Sequence, residues 1–420
     1  MKKVFKILGR VFWIIICIAA VAMITCVILV NMYGVNTKEK TGDETINQAP
    51  PEPKIVSAQS RILIAGTTFW GRRTNTDARA SQLGVAYPFS QLDTLNRKAY
   101  DAWIAGLECP VTQKPNNQHN TYEEEKQFVF NCDPDYLPEA AKYFDVFGLG
   151  NNHSGNQGAA GLAETRQRLD ENKIQYYGTP KRSNSGTSDP DFKNDDPTIS
   201  NCAIVVLPVR VGLDNNTEDK YQIPFGFCSA HGVYGVPGDD FVENMKTYAT
   251  YVPTIATPHM GAEYKTSADT LRMNTYRHMI DYAGVEAVIA DHTHWVQNAE
   301  AYNGKLITYS LGNFMFDQTF NAEVVRSAAI DATIVVNDVA EAKLDDWNAL
   351  GLECLEDKAT CFDKIQKAGL PKLKLTWTYD YHATTSAGNR ITRLGDDALQ
   401  AAVGQRLNWA GIPAELKTTK

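Results

Sequence analysis

"VIADHTHWVQNAEAYNGKLITYSLGNFMFDQ", Val288–Gln318, closes an apolar run with two histidines one residue apart, His292 and His294. Histidine is not among the residues that favour strands, and an exposed pair at a strand end gains nothing from packing. Two neutral imidazoles placed this closely can, however, hold a metal ion. The question is whether other strand ends carry the remaining ligands.

Three of them do. "AYDAWIAGLE" (99–108) ends in Glu108, and "DVFGLG" (145–150) runs into Asn151, Asn152 and His153. "TYVPTIATP" (250–258) runs into His259, Glu263 and Tyr264, and "EAVIA" (286–290) into His292, His294 and Gln297. Taken singly, each cluster has an ordinary reading: Asn-Asn-His suits a turn, and a lone loop histidine or strand-tip glutamate needs no explanation. Jointly, four of the chain's eight histidines follow apolar runs, and ligands of α/β sheets collect outside the carboxyl ends of strands. Imidazoles with carboxylate and amide oxygens suit Zn, Mn or Fe rather than Ca. Such an ion activates water and neutralises charge building on a phosphoryl or carbonyl oxygen.

The remaining periodicity gives the fold class. "RILIAG" (61–66), "CAIVVLPV" (202–209), "GKLITYSLG" (304–312), "AIDATIVVN" (329–337) and "KLKLTWTYDYH" (372–382) read as strands. "PEAAKYF" (138–144), "GLAETRQRLDENK" (161–173), "TYRHMIDYAGV" (275–285) and "DDALQAAVGQRLNWAG" (396–411) read as helices. This alternation predicts an α/β sandwich. Residues 338–371 are the least strand-like and are expected to form a surface insertion held by Cys354 and Cys361. Cys109 with Cys132 and Cys202 with Cys228 are the natural local pairings of the other four; scattered buried thiols or zinc ligands are the alternatives, and the absence of any C-x-x-C argues against a thiolate zinc site.

The first 31 residues carry four charges, all basic and all within residues 1–10, before "VFWIIICIAAVAMITCVILV" (11–30). An uncharged run this long spans a bilayer as a helix, and the basic flank keeps the short tail 1–10 in the cytoplasm. The expectation is a single-pass signal anchor over 11–31 in the cell membrane, with the main domain extracellular. A cleaved signal peptide is the competing reading, but "VNMYGVNTKEK" offers no small-x-small site. Residues 32–60 read as a flexible linker, and 61–420 as the folded domain. Beyond residue 31 the chain has 37 basic and 49 acidic residues, a net of −12, which argues against nucleic-acid binding and leaves no large basic face for a polyanion.

Six ordered blocks carry a resemblance. They are "ILIAGTTFWGRR" (62–73), "AGLECPVT" (105–112), "GLGNNHSGNQGAAGLAET" (148–165), "TPHMGAEY" (257–264), "ADHTHWVQ" (290–297) and "YSLGNFMFDQ" (309–318), with "YPF" at 87–89. The chain resembles the bacterial capsule-synthesis CapA family, the poly-γ-glutamate capsule (PGA_cap) group, which is similar in fold to calcineurin-like metallophosphoesterases. The resemblance implies a four-layer α/β/β/α sandwich and metal ligands at Glu108, Asn152, His259, His292 and His294. It implies His153 as general acid, Arg72 as a clamp for an anionic group, and Asn151, Glu263, Asn313 and Asp317 in support. Trp70 and Trp295 are candidates for the pocket wall. Three positions depart from the pattern: Thr67 stands where the family has a ligand Asp, Gly106 where it has Asn, and Asn156 where it has an acidic residue. One well-formed metal position and one weakened or empty position are therefore expected, hence one divalent ion, with Asp291 or Asp77 able in principle to substitute. Two functions follow. One is a metal-dependent hydrolase acting on an anionic envelope polymer or a phosphoester. The other is a non-catalytic polymer-binding or scaffold subunit of a capsule-synthesis or export complex.

Overall fold

The computed structural model describes residues 53–113, 129–180, 200–233, 236 and 238–418. The expected anchor at 11–31 lies outside them, as does most of the expected linker. Among the described residues no helix is long and apolar enough to cross a membrane.

In chain order the strands are β1 (Ile55–Thr68), β2 (Ala102–Leu107), β3 (Val146–Gly148), β4 (Gln175–Tyr177), β5 (Cys202–Leu213), β6 (Glu218–Cys228), β7 (His231–Gly232) and β8 (Thr254–Ala256). They continue with β9 (His259–Met260), β10 (Ala287–Ile289), β11 (Ala299–Tyr302), β12 (Lys305–Thr308), β13 (Asn313–Met315), β14 (Arg326–Val336), β15 (Leu375–Thr385) and β16 (Arg393–Leu394). The helices are α1 (Arg72–Ala80), α2 (Leu137–Ala140), α3 (Gly158–Glu171), α4 (Asp239–Tyr251), α5 (Thr270–Asp281), α6 (Leu344–Glu356), α7 (Cys361–Ala368), α8 (Asp397–Leu407) and α9 (Ile412–Thr418).

β1 organises the sheet. Its first half pairs antiparallel with β5, its second half parallel with β2, and its other edge with β14 and then β13. Two wings diverge from this strand, β2-β3-β4 and β5-β6-β8-β10-β12-β11, while β14-β15-β16 continues its far edge. The period-2 alternation of strand side chains sorts the core into three clusters. Ile62, Ile64, Ala102 and Ile104 meet Phe225, Ile255, Ala287 and Ile289 between the wings. Leu63, Ala65, Trp103 and Ala105 point the other way, onto Leu137 of α2 and Leu162 and Leu169 of α3. Ala256, Val288 and Ile307 point away from the inner cluster, onto Phe241 and Met245 of α4 and Tyr276 and Met279 of α5. The mixed α/β class expected from the sequence is the class observed, built on one large mixed sheet.

Three details differ from the sequence reading. β1 starts at Ile55 rather than Arg61, so the end of the expected linker is strand: Ile55–Gln59 pair with β5. β6 was not expected, because Pro224 and Gly226 interrupt its run. Residues 344–368 are not a loose surface insertion. Leu344, Trp347, Cys354, Cys361 and Ile365 are buried in the inner cluster, and α6 and α7 are joined by the Cys354–Cys361 disulfide. Cys109–Cys132 and Cys202–Cys228 are also bonded, as the local pairing predicts.

A polar lock crosses the centre of the β1-β14-β15 region. Arg61 grips Asp331 with two donors, Nε–Oδ1 3.0 Å and Nη2–Oδ2 2.6 Å, and the Tyr100 hydroxyl donates to Asp331 at 3.2 Å. His382 Nε2 lies 3.5 Å from the same carboxylate. Burial alone would raise Asp331, but the hydrogen bonds from His382 and Arg61 outweigh it and hold the carboxyl below the usual range. A carboxyl depressed in the folded state stabilises the protein above its unfolded pKa of ~3.9, and the contribution fades as pH falls toward the folded value. Asp331→Asn should therefore cost ~1–2 kcal/mol at pH 7, the lower part of the range for a charged hydrogen bond because Arg61 is partly exposed. The difference between variant and wild type should shrink by pH 3. Urea unfolding at the two pH values measures it, and an equal cost at both would mean that packing, not charge, is the loss.

Candidate metal centre

Glu108 follows β2 directly, and its backbone N–H donates to Thr68 O at 2.9 Å. The next residue, Cys109, is tied to Cys132, so the loop cannot swing the side chain out. The glutamate is 1% exposed, and neither carboxylate oxygen has a hydrogen-bond partner among the described residues. Burial pushes its pKa above the ordinary value, against the opposing pull of His294, His153 and Arg72. An ionised carboxylate buried without donors is costly, so the site calls for a positive charge.

The neighbouring side chains are arranged to hold one. His259 Nε2 lies 3.0 Å from Asn152 Oδ1, 3.1 Å from His292 Nδ1 and 3.5 Å from Glu108 Oε1. Ligand atoms ~2.1 Å from a metal and ~90–110° apart sit ~3.0–3.4 Å from one another. The ligand atoms of Glu108, His259 and His292 all fall within 4.8 Å. Burial drives both histidines well below their ordinary pKa, so the rings are neutral, the ligating form. His292 Nε2 is also buried without a partner. Two imidazoles, an amide oxygen and a carboxylate form a donor set able to hold a metal ion.

The backbone aims these rings. His292 has φ 110° and His294 φ 60°, positive values that side chains other than glycine adopt at a cost. Tyr264 (φ 57°), whose ring stacks on His294, shares the feature. Such conformations persist where the surroundings impose them, and they cluster at functional sites. β10 ends three residues before His292, so the two rings are placed by this strained turn and not by the strand.

His294 does not join the tight cluster; its ring centre is 6.2 Å from that of His292. Its tautomer is set by Asn313. The Asn313 amide nitrogen donates to Gln318 Oε1 and Val324 O, so its oxygen, 2.8 Å from His294 Nδ1, is the acceptor. Nδ1 carries the proton and Nε2 the lone pair, the support usual for a ligating histidine. Asn313 thus orients the His294 ring. Asn151 orders its own turn: its amide donates to Leu107 O at 2.7 Å, and its oxygen accepts from the backbone of His153 and Ser154. This fixes the turn that presents Asn152 and His153.

His153 is stacked on Phe130 and directs Nδ1 to Asn156 Oδ1 at 2.8 Å, leaving Nε2 4.0 Å from Glu108 Oε1. Asn156 Oδ1 also accepts the Phe130 N–H, so the amide orients the imidazole where the resemblance expects an acidic residue. Burial lowers the His153 pKa to about 4, although Glu108 and Asn156 act to raise it.

Four expectations need correction. Arg72 is not an open anion clamp: its Nε and Nη2 grip Asp317 at 2.9 and 2.5 Å, under the ring of Phe130. Asp317 therefore supports Arg72, and the bidentate face is taken. Glu263 is exposed and stays outside the buried cluster. Trp70 is fully buried and packs against Phe89, Tyr136 and Phe147 in the core, so it walls no pocket. Asp77 is no substitute ligand, being bound to Arg390 at 2.6 Å.

Two residues were undervalued by the sequence. His231 is buried and paired in register with His259 through β7 and β9. It follows β6, and the rule that found the other clusters would have found it had that strand been recognised. Asp291 is part-buried, accepts from the Thr67 hydroxyl, and accepts from Ser310 Oγ at 3.1 Å. Burial raises it to about 6, with the Thr67 hydrogen bond opposing and the Glu108 charge adding. Asp291, Thr67, Glu108, Asn151 and His259 line one pocket of about 40 Å³, room for an ion and a water or two.

Residues 61–205 and 238–318, more than half of the chain, match the family described as bacterial capsule synthesis protein PGA_cap. Among curated proteins the chain is 25% identical over 270 residues to the PGA biosynthesis protein CapA of Bacillus subtilis (strain 168), covering 63% of this chain and 66% of that protein. It is 25% identical over 235 residues to the capsule biosynthesis protein CapA of Bacillus anthracis, covering 53% and 54%. The chain thus spans between half and two thirds of the length of these relatives. Among solved structures it is similar to GAP50, the anchor in the inner membrane complex of Plasmodium, at 11% identity and a TM-score of 0.32, over 67% of this chain and 85% of that one. A purple acid phosphatase from yellow lupin (Lupinus luteus) seeds aligns at 11% identity and a TM-score of 0.30, over 68% and 52%. The family match contains every residue of the buried cluster that gathers around Glu108, and the chain belongs to the bacterial capsule synthesis PGA_cap family.

Proposed function

We propose that this PGA_cap protein is a metal-dependent hydrolase acting on an anionic cell-envelope polymer or phosphoester. The observation that carries the reading is the buried Glu108 carboxylate, unpartnered and facing two neutral imidazoles and an amide oxygen. Glu108, Asn152, His259 and His292 would hold the ion. A divalent ion held there supplies an activated water and charge neutralisation at the attacked centre. It also supplies attraction for an anionic substrate that the net −12 of the chain beyond residue 31 would otherwise repel.

His153 is the proton carrier in this scheme. Asn156 keeps Nδ1 protonated and turns Nε2 toward the pocket. With a pKa near 4 the ring is neutral at pH 7. An anionic substrate beside it favours the protonated form, which then donates to the leaving group. Arg72 acts at one remove: bound to Asp317, it packs on Phe130, which in turn stacks on His153.

The relatives' names assign them to PGA and capsule biosynthesis, and a polyanionic capsule polymer is the substrate class this charge logic favours. Three disulfides are consistent with an oxidising compartment. An N-terminal anchor at 11–31 would hold the domain at the outer face of the membrane, beside other subunits of a synthesis complex. A second reading, a polymer-binding subunit without catalysis, is favoured by one observation, the commitment of Arg72 to Asp317.

Metal content decides between them. The full chain, purified without chelators, should carry at least one Mn, Zn or Fe per chain by mass spectrometry, and His259→Ala/His292→Ala should fall to near zero. No metal even after addition of Mn or Zn would leave the binding subunit as the reading. With the metal in place, His153→Ala should keep its metal and lose ~10²–10⁴-fold in kcat, the range of a general acid. Bis(p-nitrophenyl) phosphate, p-nitrophenyl phosphate and poly-γ-glutamate are the substrates to screen. An unchanged kcat on whichever is cleaved would remove His153 from the mechanism.

A further inference from the structure

We infer that the outer edge of β15 joins two copies of this chain into one continuous sheet, the two strands running antiparallel about Trp377. The contact is independent of the metal centre. β14 covers the inner edge of β15 in an unbroken register from Arg326↔Thr385 to Val336↔Leu375. Just past the two ends, Asn337 N–H donates to Lys374 O and Ser386 N–H donates to Val325 O. Even-numbered residues of β15 therefore turn their backbone groups to β14, and odd-numbered residues turn theirs to the outer edge. The far end of that edge is closed. Gly395 N–H donates to Ala383 O, Gln400 bonds Ala383 N–H and Tyr381 O, and the Tyr381 N–H turns to Asp380 Oδ1. Leu375, Trp377 and Tyr379 are left with outward N–H and C=O groups that have no partner among the described residues.

Open edges are normally blunted by lysine, proline or a bulge, and "LTWTY", Leu375–Tyr379, contains none of these. Its own complementarity identifies the occupant. A two-fold axis at Trp377 matches the three open residues to one another: Leu375 to Tyr379 of the second copy, Trp377 to Trp377, and Tyr379 to Leu375. The same register sets Lys374 opposite Asp380 of the second copy, twice by symmetry, and Thr376 opposite Thr378. All four of these side chains are exposed, and opposite charges and threonine pairs are favourable cross-strand neighbours. Asp380 Oδ1 takes the Tyr381 N–H, which leaves Oδ2 for the ammonium. On the other face Trp377 and Tyr379 stack at 5.9 Å between ring centres and lie half-buried against the inner cluster, so pairing extends that core across the edge. Neighbouring registers fit less well. An axis at Thr378 sets Leu375 against Tyr381, whose carbonyl Gln400 already holds, and Lys374 against His382. An axis at Thr376 sets Tyr379 against Leu373, outside the strand, and Lys374 against Thr378. A two-fold contact of this kind is closed and gives a dimer, not a fibre.

Charge reversal across the axis tests both the surface and the register. Sedimentation velocity of the full chain in detergent micelles, over the micromolar range, should show a dimer that dissociates on dilution. Lys374→Asp sets two carboxylates face to face at each contact, and Asp380→Lys sets two ammonium groups face to face. Each alone should weaken the dimer ~10-fold or more. An equimolar mixture of the two single variants, and the double variant Lys374→Asp/Asp380→Lys, should both regain wild-type affinity, because each restores opposite charges at every contact. Added salt should narrow these differences. The substitutions lie at exposed positions, and circular dichroism checks that each variant folds. Wild type that stays monomeric throughout overturns the inference. A dimer that neither single variant weakens is held by another surface, the expected anchor included, and overturns it too. So does a weakened dimer that neither mixing nor the double variant restores.

Discussion

A carboxylate buried without a donor is the constraint around which this molecule is organised. Glu108 is held inside by its backbone bond to Thr68 and by the disulfide at the next residue. Protonation would not settle it. A neutral carboxylic acid would still need an acceptor for its O–H and donors for its oxygens, and the nearest nitrogen of His259 is 3.5 Å away. Neutral imidazoles cannot balance the charge. A cation can, and the surrounding atoms stand at the separations a cation's ligands require.

The sheet explains how distant residues reach that point. β1 belongs to both wings, and Thr67 and Thr68 at its end pair with β2 on one side and β13 on the other. Glu108 follows β2, Asn152 and His153 follow β3, His259 lies beyond β8, and Asp291, His292 and His294 follow β10. Parallel strands deliver their carboxyl ends to the same side, so loops from two wings converge on one corner. What the strands cannot do is aim each ring. The positive φ of His292, His294 and Tyr264 does that, and its cost is sustained by the buried packing on both sides.

Much of this was legible before any coordinates. Apolar strand runs alternating with helical stretches gave the α/β class, and polar clusters at the strand ends gave Glu108, Asn152, His259 and His292. Three disulfides followed from local spacing. The reading failed where local signals and tertiary context part. Pro224 and Gly226 disguise β6, and with it His231. The polarity of 338–371 disguises two helices whose buried stripe is Trp347, Cys354 and Ile365. Arg72 looks like a free guanidinium because its partner, Asp317, is 245 positions away. Ion pairs of this kind leave no trace in spacing.

Thr67 shows the same limit from the other side. Read position by position, a threonine in place of an aspartate is the loss of a ligand. In space, residue 67 is one of two positions that share a corner, and the other is Asp291. Carboxylates at both would face one another within hydrogen-bond distance, and like charges so close cannot both remain ionised without a cation between them. Threonine at 67 removes that repulsion and adds a donor. The substitution and the aspartate are thus best read as a pair: the hydroxyl fits because Asp291 is there, and the Asp291 carboxylate is held in the pocket because residue 67 can donate to it.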